Sequence, residues 1–545
     1  MKKLLIDISF DHYIAFLPIL LSTLFYIYFI TQAAFKNKFS VKWVWIVTVT
    51  FVFFIRSNDF FLKSLNPDEE QWLICANSLL HSPSDYFTSF FLFDYSRIIT
   101  ILPIAFMGLF TKFSSYDSAR FVNISLFLIF TFFQFRIIEL LFNKKIAIFI
   151  IGFLAINFSL AVSPDLIAYN SEMPAIVIIS ILIFLFVREQ KLPSHKITSL
   201  LAGILTSFIP FCKEQALPFS IIFVVFFSIK YIKGKEYNRL LLYIIGGLLG
   251  LSIILIPLIC LYGIDKIVWL ISYLSEYSKL GVYFENHPSM NDRVLRSFKI
   301  IWLNKEHFAL LSISLVSFFI ITMDVFKRKN NKRNFLNEVF LLSLFFISVF
   351  VIVYPKDTFF HYTILTWVSC YIICGYLFLR IDSTYNPKVL TLILIALFVS
   401  KIYDGNWRLI YPISEIRAND YIDQSDPVNN FLSKNTSPGD GMVVWGWANN
   451  YFINFELQRA SRNTNSMTII NKYSSKQNSI NLYIEDLKKF KPKVIIELAG
   501  EKRFYLNNKE KYSIENSSSE LMNFINSKYS CVESGSNYVF YKLKK

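Results

Sequence analysis

Long apolar blocks separated by short polar ones fill the first three quarters of this chain. Blocks that approach or exceed the roughly 20 residues a helix needs to cross a bilayer predict spans near 12–34, 43–57, 119–142, 146–162, 174–187, 197–211, 216–232, 240–262, 308–326, 338–354, 361–380 and 389–403. A further apolar block, 97–113, is ambiguous. Past Tyr403 the pattern changes abruptly: Asp404-Gly405-Asn406 opens a polar region that runs to Lys545 with no further span. Within it, Gly441 to Trp447 (GMVVWGW) reads as a short buried strand between glycines. Ile484 to Phe490 has helical spacing, and Val494-Ile495-Ile496 follows Pro492 as a second, β-branched strand. Tyr538 to Tyr541 reads as a terminal strand after a Gly535-Ser536-Asn537 turn. Strand, helix and strand in this order predict a small α/β domain at 404–545 behind a transmembrane module at 1–403.

Composition agrees with that division. Hydrophobic residues make up 54% of the 545, and mean hydropathy is +0.45, which excludes a soluble enzyme. The expected fold class is an α-helical polytopic membrane protein with roughly 12–13 transmembrane helices. Met1-Lys2-Lys3 before an apolar run imitates a signal peptide, but 12–34 is long and no small-residue cleavage site follows, so it is read as a retained helix. The six cysteines, Cys75, Cys212, Cys260, Cys370, Cys374 and Cys531, show no CxxC and no metal-ligand spacing. Cys370 and Cys374 share a helix face, which is read as packing.

The net charge of +16 is not a nucleic-acid signal, because it sorts by loop. Residues 404–545 hold 19 Lys+Arg against 15 Asp+Glu. Most of the excess lies in alternate short loops: Lys36, Lys38 and Lys42; Lys144 and Lys145; Arg188, Lys191 and Lys196; Lys230, Lys233, Lys235 and Arg239; Lys327 to Arg333; Arg380 and Lys388. The positive-inside rule makes these cytoplasmic. Asp68, Glu69, Glu70, Asp85, Asp94, Asp165 and Glu172 then face out, as does the C-terminal domain. An even number of crossings must separate the two acidic loops. Reading 97–113 as re-entrant or flat-lying satisfies this and keeps Lys144 and Lys145 inside.

Four polar clusters fall at the outer ends of spans. The first is Asp68-Glu69 within Asn66-Pro67-Asp68-Glu69-Glu70-Gln71-Trp72, with Arg56 on the exit of the preceding helix. Consecutive carboxylates beside hydrocarbon are functional candidates, since each costs about 2.5–3.5 kcal/mol at mid-bilayer. The plainer reading is a solvated helix start favoured by Pro67 and the helix dipole. The second cluster is Ser163 to Glu172 (SPDLIAYNSE), where one helix from Pro164 would set Asp165 and Glu172 two turns apart on one face. The third is Phe211 to Pro218, a break between spans that carries Lys213-Glu214. The fourth, Tyr354 to Tyr362, includes Lys356-Asp357-Thr358 and His361. A self-neutralising turn, an aromatic-belt histidine or a helix cap would explain any one of them. Together they ring one external face with acids and bases, as group transfer from an anionic lipid donor requires. A carboxylate activates the acceptor hydroxyl, and cations or a metal hold the phosphate as charge develops on the leaving group.

In their order these clusters resemble the GT-C superfamily of polytopic glycosyltransferases, in particular the bacterial branch related to protein O-mannosyltransferases and lipid A aminoarabinose transferases. NPDEEQW is similar to that family's acidic pair in the first large external loop, and SPDLIAYNSEMPA to its second loop. KEQALP resembles its Lys-Pro/Glu-Gln motif after a glycine-containing span (Gly203), and FFHYTI its His-Tyr-Tyr stretch, with Thr363 in place of the second Tyr. VVWGWANNYFINFELQRASRNT and YIEDLKKFKPKVII resemble its exported tail. The likeness covers roughly 40–545. It implies a GT-C fold and a polyprenyl-phosphate-linked sugar as donor, transferred with inversion outside a bacterial cytoplasmic (inner) membrane to a lipid, glycan or protein acceptor. It also implies Asp68 as base or acceptor-orienting carboxylate, Glu69 as its partner, and Asp165 and Glu172 as second-loop acids. Arg56, Lys213 and His361 become donor-phosphate candidates. Asp68, Asp165 and Glu172 would be the ligands if a divalent Mg or Mn ion takes part. The expected activity is that of an inverting hexosyl- or pentosyltransferase. Two other readings stand beside it: a lipid-linked polysaccharide polymerase or ligase using 263–306 as an external loop, and a transporter or scaffold.

Overall fold

The computed structural model describes residues 10–36, 38–161, 163–192, 195–280, 289–303, 305–327, 335–355, 359–384, 388–403, 425–470, 476–498 and 512–544. Lys356-Asp357-Thr358, the basic run from Arg328 to Arg333 and the Asp404-Gly405-Asn406 opening lie outside the described residues. Helices form over every predicted span. In chain order the longer ones are α1 (Phe10–Lys36), α2 (Val41–Ile55), α3 (Pro67–His81), α4 (Ile98–Thr111), α5 (Tyr116–Leu141) and α6 (Lys144–Ser159). Then come α7 (Glu172–Lys191), α8 (Ile197–Phe208), α9 (Leu217–Lys233), α10 (Tyr237–Tyr262), α11 (Ile264–Leu280) and α12 (Met290–Leu303). The series closes with α13 (Lys305–Lys327), α14 (Phe335–Val353), α15 (Trp367–Thr384) and α16 (Lys388–Tyr403). Eight helical stretches among the described residues are long and apolar enough to cross a membrane, so the chain is a multi-pass membrane protein.

The block read as re-entrant differs most. Pro83–Thr111 is a single run of 29 helical residues, long enough to span, in which α4 is only the C-terminal half. Its N-terminal half carries a π-helical turn over Tyr86–Phe90 and a 3-10 turn over Tyr95–Arg97. Asp94 and Arg97 interrupt the apolar pattern there, and the run therefore reads shorter in sequence than it folds.

The chain divides into two compact units. The first comprises Met1–Leu62, Arg120–Ile253 and Pro288–Ala418. Its centre is α6, every residue of which from Ile146 to Ser159 is buried. Helices α1, α2, α15 and α16 pack around it. Asn157 Nδ2 donates to the Tyr371 hydroxyl at 2.8 Å, supplying the polar partner that a low-dielectric interior demands. Between α8 and α10 the backbones nearly touch: a Cβ on Gly203 would fall 2.1 Å from the Tyr243 carbonyl oxygen. Only glycine permits that approach, the small-residue device of membrane helix packing.

The second unit comprises Lys63–Ala119, Ile254–His287 and Asn419–Lys545. Its sheet runs β2 (Gln458–Arg459), β1 (Gly441–Trp445), β3 (Val494–Glu497), β5 (Val539–Leu543), β4 (Tyr529–Ser534). β1 is parallel to both β2 and β3, whereas β5 is antiparallel to β3 and β4. The three predicted strands and the helix (α18, Lys476–Phe490, after α17, Pro427–Asn435) are present. β2 and β4 are additional. β2 has two residues, and β4 is exposed along all but its first residue, so neither carries an apolar signal. Val443, Trp445, Ile495, Tyr541, Ile484 and Leu487 form part of the core between the sheet and α18. Gly446, between the two tryptophans, has φ of +137°, a conformation that side chains resist. It lets the chain leave β1 and exchange hydrogen bonds with Ser466.

Candidate active site

Helix α3 begins where the sequence places a start, at Pro67, with the Asn66 side chain capping the Asp68 amide at 2.8 Å. The solvated helix start does not describe its acids. Asp68 is half-buried, while Glu69 and Glu70 are buried. Glu70 accepts from the Ser64 hydroxyl at 2.6 Å and from the Tyr116 hydroxyl at 3.3 Å, which gives it a structural role inside the second unit. The dipole at the start of α3 favours this charge, by about 0.3–1 kcal/mol per carboxylate.

In the first unit, three of the sequence clusters converge. Glu172 is fully buried at the start of α7, and its Oε1 lies 2.9 Å from Lys213 Nζ, itself buried in the break between α8 and α9. Lys213 Nζ also sits 4.9 Å from the centre of the Tyr362 ring. Next to Tyr362, His361 Nδ1 lies 3.6 Å from Asp165 Oδ2, with the imidazole stacked on Phe359 and edge-on to Tyr362. His361 also acts electrostatically on Glu172. Residues 165, 172, 213, 361 and 362 thus form one acid–base cluster.

The second loop reaches this arrangement differently from the single helix expected. Pro164–Ile167 makes one turn, the chain becomes extended at Ala168, and α7 starts anew at Glu172. Asn170 Nδ2 staples the corner by donating to the carbonyls of Asp165 (2.5 Å) and Ala168 (3.3 Å). Asn123 Nδ2 holds the same turn from α5 through the Ile167 carbonyl at 3.0 Å. Asp165 and Glu172 therefore share a cluster through the corner and not through helical periodicity.

Arg56 is buried and committed within its own unit. It donates to Asp59 Oδ2 at 2.8 Å and to the Phe158 carbonyl, and its guanidinium lies 4.5 Å from the centre of the Phe158 ring. Arg120 adds a second cation acting on Asp59. Asp59 went unread, although its i,i+3 spacing from Arg56 could have found it; Tyr362 closes the fourth cluster and is the first Tyr of FFHYTI, and Asn123 had no signal beyond its residue type. Asp165 faces His361 and Glu172 faces Lys213, and no group of three or more His, Cys, Asp or Glu among the described residues is gathered to hold a metal ion.

No family model matches the chain, and no curated protein does. Among solved structures, the Archaeoglobus fulgidus oligosaccharyltransferase tethered to an acceptor peptide with the NVT sequon aligns over 93% of this chain and 75% of its own, at 11% identity and TM-score 0.49. The same enzyme with Zn and sulfate aligns over 91% and 73% at 12% identity and TM-score 0.47. Its complex with an inhibitory peptide and a dolichol-phosphate aligns over 92% and 74% at 11% identity and TM-score 0.47.

Two tail residues that the motifs contained without a role are structural. Arg462 Nε and its second guanidinium nitrogen fork onto Asp486 of α18 at 2.8 and 2.7 Å, and its amide adds a third bond at 2.7 Å. Arg459 of β2 is buried and forks onto Asp94, over the face of Phe90 at 4.2 Å. Burial alone would favour the neutral form of Arg459, but the Asp94 carboxylate outweighs it and holds the guanidinium protonated.

Proposed function

We propose that this chain is a GT-C glycosyltransferase that moves a sugar, with inversion, from a polyprenyl-phosphate donor to an acceptor hydroxyl on the extracytoplasmic side of a bacterial inner membrane. The observation that carries the reading is the buried Glu172–Lys213 pair beside Asp165–His361, built from three motifs whose order matches that superfamily. Buried ion pairs rarely justify their desolvation by stability alone, and intramembrane-edge charges mark substrate sites by default. Asp68 takes the acceptor proton as the hydroxyl oxygen attacks the anomeric carbon. The bond from that carbon to the phosphate oxygen breaks, and polyprenyl phosphate leaves. Lys213 and His361 stabilise the charge growing on the departing phosphate, with Glu172 holding the Lys213 ammonium aimed until the anion arrives. Arg56 has a carboxylate and a carbonyl already in its fork, so it supports the fold around α6 in this scheme.

The test is transfer of label from a panel of polyprenyl-phosphate sugars by the purified protein. Label moved to a hydroxyl acceptor, or released as free sugar, supports the reading and identifies the sugar. A folded protein that binds none of the panel overturns it.

Sidedness has its own test. Cys531 is exposed on β4, whereas Cys75 is buried and its thiol is pushed well above the usual range by burial and by the Asp94 carboxylate. In a Cys260→Ser background, which removes the other exposed thiol among the described residues, a membrane-impermeant maleimide added to intact cells should label the protein, and Cys531→Ser should remove most of that label. Labelling of Cys531 only after the membrane is opened would put the C-terminal domain inside.

A further inference from the structure

Helix α12 is 14 residues long and does not belong to the spanning set. Ser289 caps it reciprocally: its amide and hydroxyl donate to Asp292 Oδ2 at 3.0 and 2.8 Å, and the Asp292 amide donates back to its hydroxyl at 3.2 Å. Asp292 shares the face of Arg296 and Lys299, but the Ser289 hydroxyl and amide already occupy its carboxyl and, with Arg296, hold it below its usual range, so the face keeps a net positive charge. A step of about 100° per residue sorts the remainder into three arcs. One arc packs inward: Ser297 is buried, and Arg293 donates to the Tyr354 carbonyl at 3.0 Å. This arc lies against α13, α14 and the 3-10 turn Phe360–Thr366 that carries His361. The second arc holds Val294, Leu295 and Phe298, which are 45%, 66% and 61% exposed. The third holds Arg296 and Lys299, both exposed.

We infer that α12 lies in the membrane–water boundary, with Val294, Leu295 and Phe298 among the acyl chains and Arg296 and Lys299 on the phosphates of anionic phospholipids. Two observations choose the bilayer as the occupant. The apolar arc belongs to a helix packed on α13, whose Leu315, Val316 and Phe319 are exposed in the manner of lipid-facing residues. The adjoining arc is cationic, which complements an anionic lipid surface. An apolar face beside a basic face on a helix too short to span is the arrangement that binds at an interface. Through its inward arc such a helix ties the His361 turn to the depth of the headgroups. The inference does not depend on the transferase reading.

The experiment uses the full-length protein in nanodiscs, with Cys260→Ser and Cys531→Ser removing the exposed thiols. Nitroxide labels are placed through Phe298→Cys or Lys299→Cys. The Phe298 label should be relaxed mainly by oxygen, which concentrates in acyl chains, and the Lys299 label mainly by a water-soluble nickel chelate. A Phe298 label open to the chelate, or shielded from both reagents, overturns the placement, since it would then face water or another protein surface. In the cysteine-containing protein, Arg296→Glu with Lys299→Glu should lower co-purified phosphatidylglycerol by at least about fivefold, roughly the weight of one basic residue at an anionic surface. Phosphatidylethanolamine should be unchanged. Equal retention of phosphatidylglycerol by a monodisperse variant overturns the headgroup assignment, and equal loss of both lipids overturns its selectivity for anionic ones.

Discussion

Asp68→Asn should reduce sugar transfer by about 10²–10⁴-fold, the usual contribution of a positioned general base, and leave the protein folded and inserted. The two side chains have nearly the same shape, and the Asn66 cap bonds to the backbone amide of residue 68, which the substitution keeps. The lost interaction with the dipole of α3 is worth about 0.3–1 kcal/mol at most. Initial rates with the labelled donor, set beside thermal melting followed by size exclusion, separate the two effects. Glu70→Gln is the matched control. It leaves the Ser64 and Tyr116 hydroxyls an amide oxygen to donate to, so it should perturb stability before chemistry. Turnover near the unsubstituted rate in Asp68→Asn would remove Asp68 from the role of base.

How far such a site could be read before the structure depended on the range of the interactions involved. The helices were legible because their length is set by runs of apolar residues, a local property. The acidic start at Pro67 and the strands around Val443 and Ile495 were legible for the same reason. Pro83–Thr111 was shortened in sequence by Asp94, whose partner Arg459 stands 365 residues away, so nothing nearby shows that the charge is neutralised. The corner at Ala168 was missed because it depends on Asn170 turning its side chain onto two backbone carbonyls, which competes with the helix that Pro164 begins. Lys213, Glu172, His361 and Asp165 were each nominated as polar groups at span ends. Their pairing was not, because pairing lives in tertiary packing.

The same distinction decides what Arg459 does. Arg459→Ala should destabilise the second unit by about 3–5 kcal/mol, the expected loss when a buried pair is cut to one charge. Asp94 would remain in a site that is 7% exposed, with Phe90 and Tyr86 in place of a cation. The first of the guanidinium nitrogens also lies 3.7 Å from the Cys75 sulfur on α3, so the pair closes over that thiol. Loss of the guanidinium should therefore lower the melting temperature and raise the alkylation rate of Cys75 together. Arg459→Lys should fall between, since an ammonium cannot fork across both carboxylate oxygens. Removing both charges at once, through Asp94→Asn with Arg459→Gln, should recover much of the loss, because the penalty comes from the orphaned charge more than from the missing bond. The pair ties β2 to the helical run Pro83–Thr111 and to α3, so the loop that carries Asp68 is held by the C-terminal domain. An Arg459→Ala protein that melts normally and keeps Cys75 unreactive would show that α3 holds its shape without the tail.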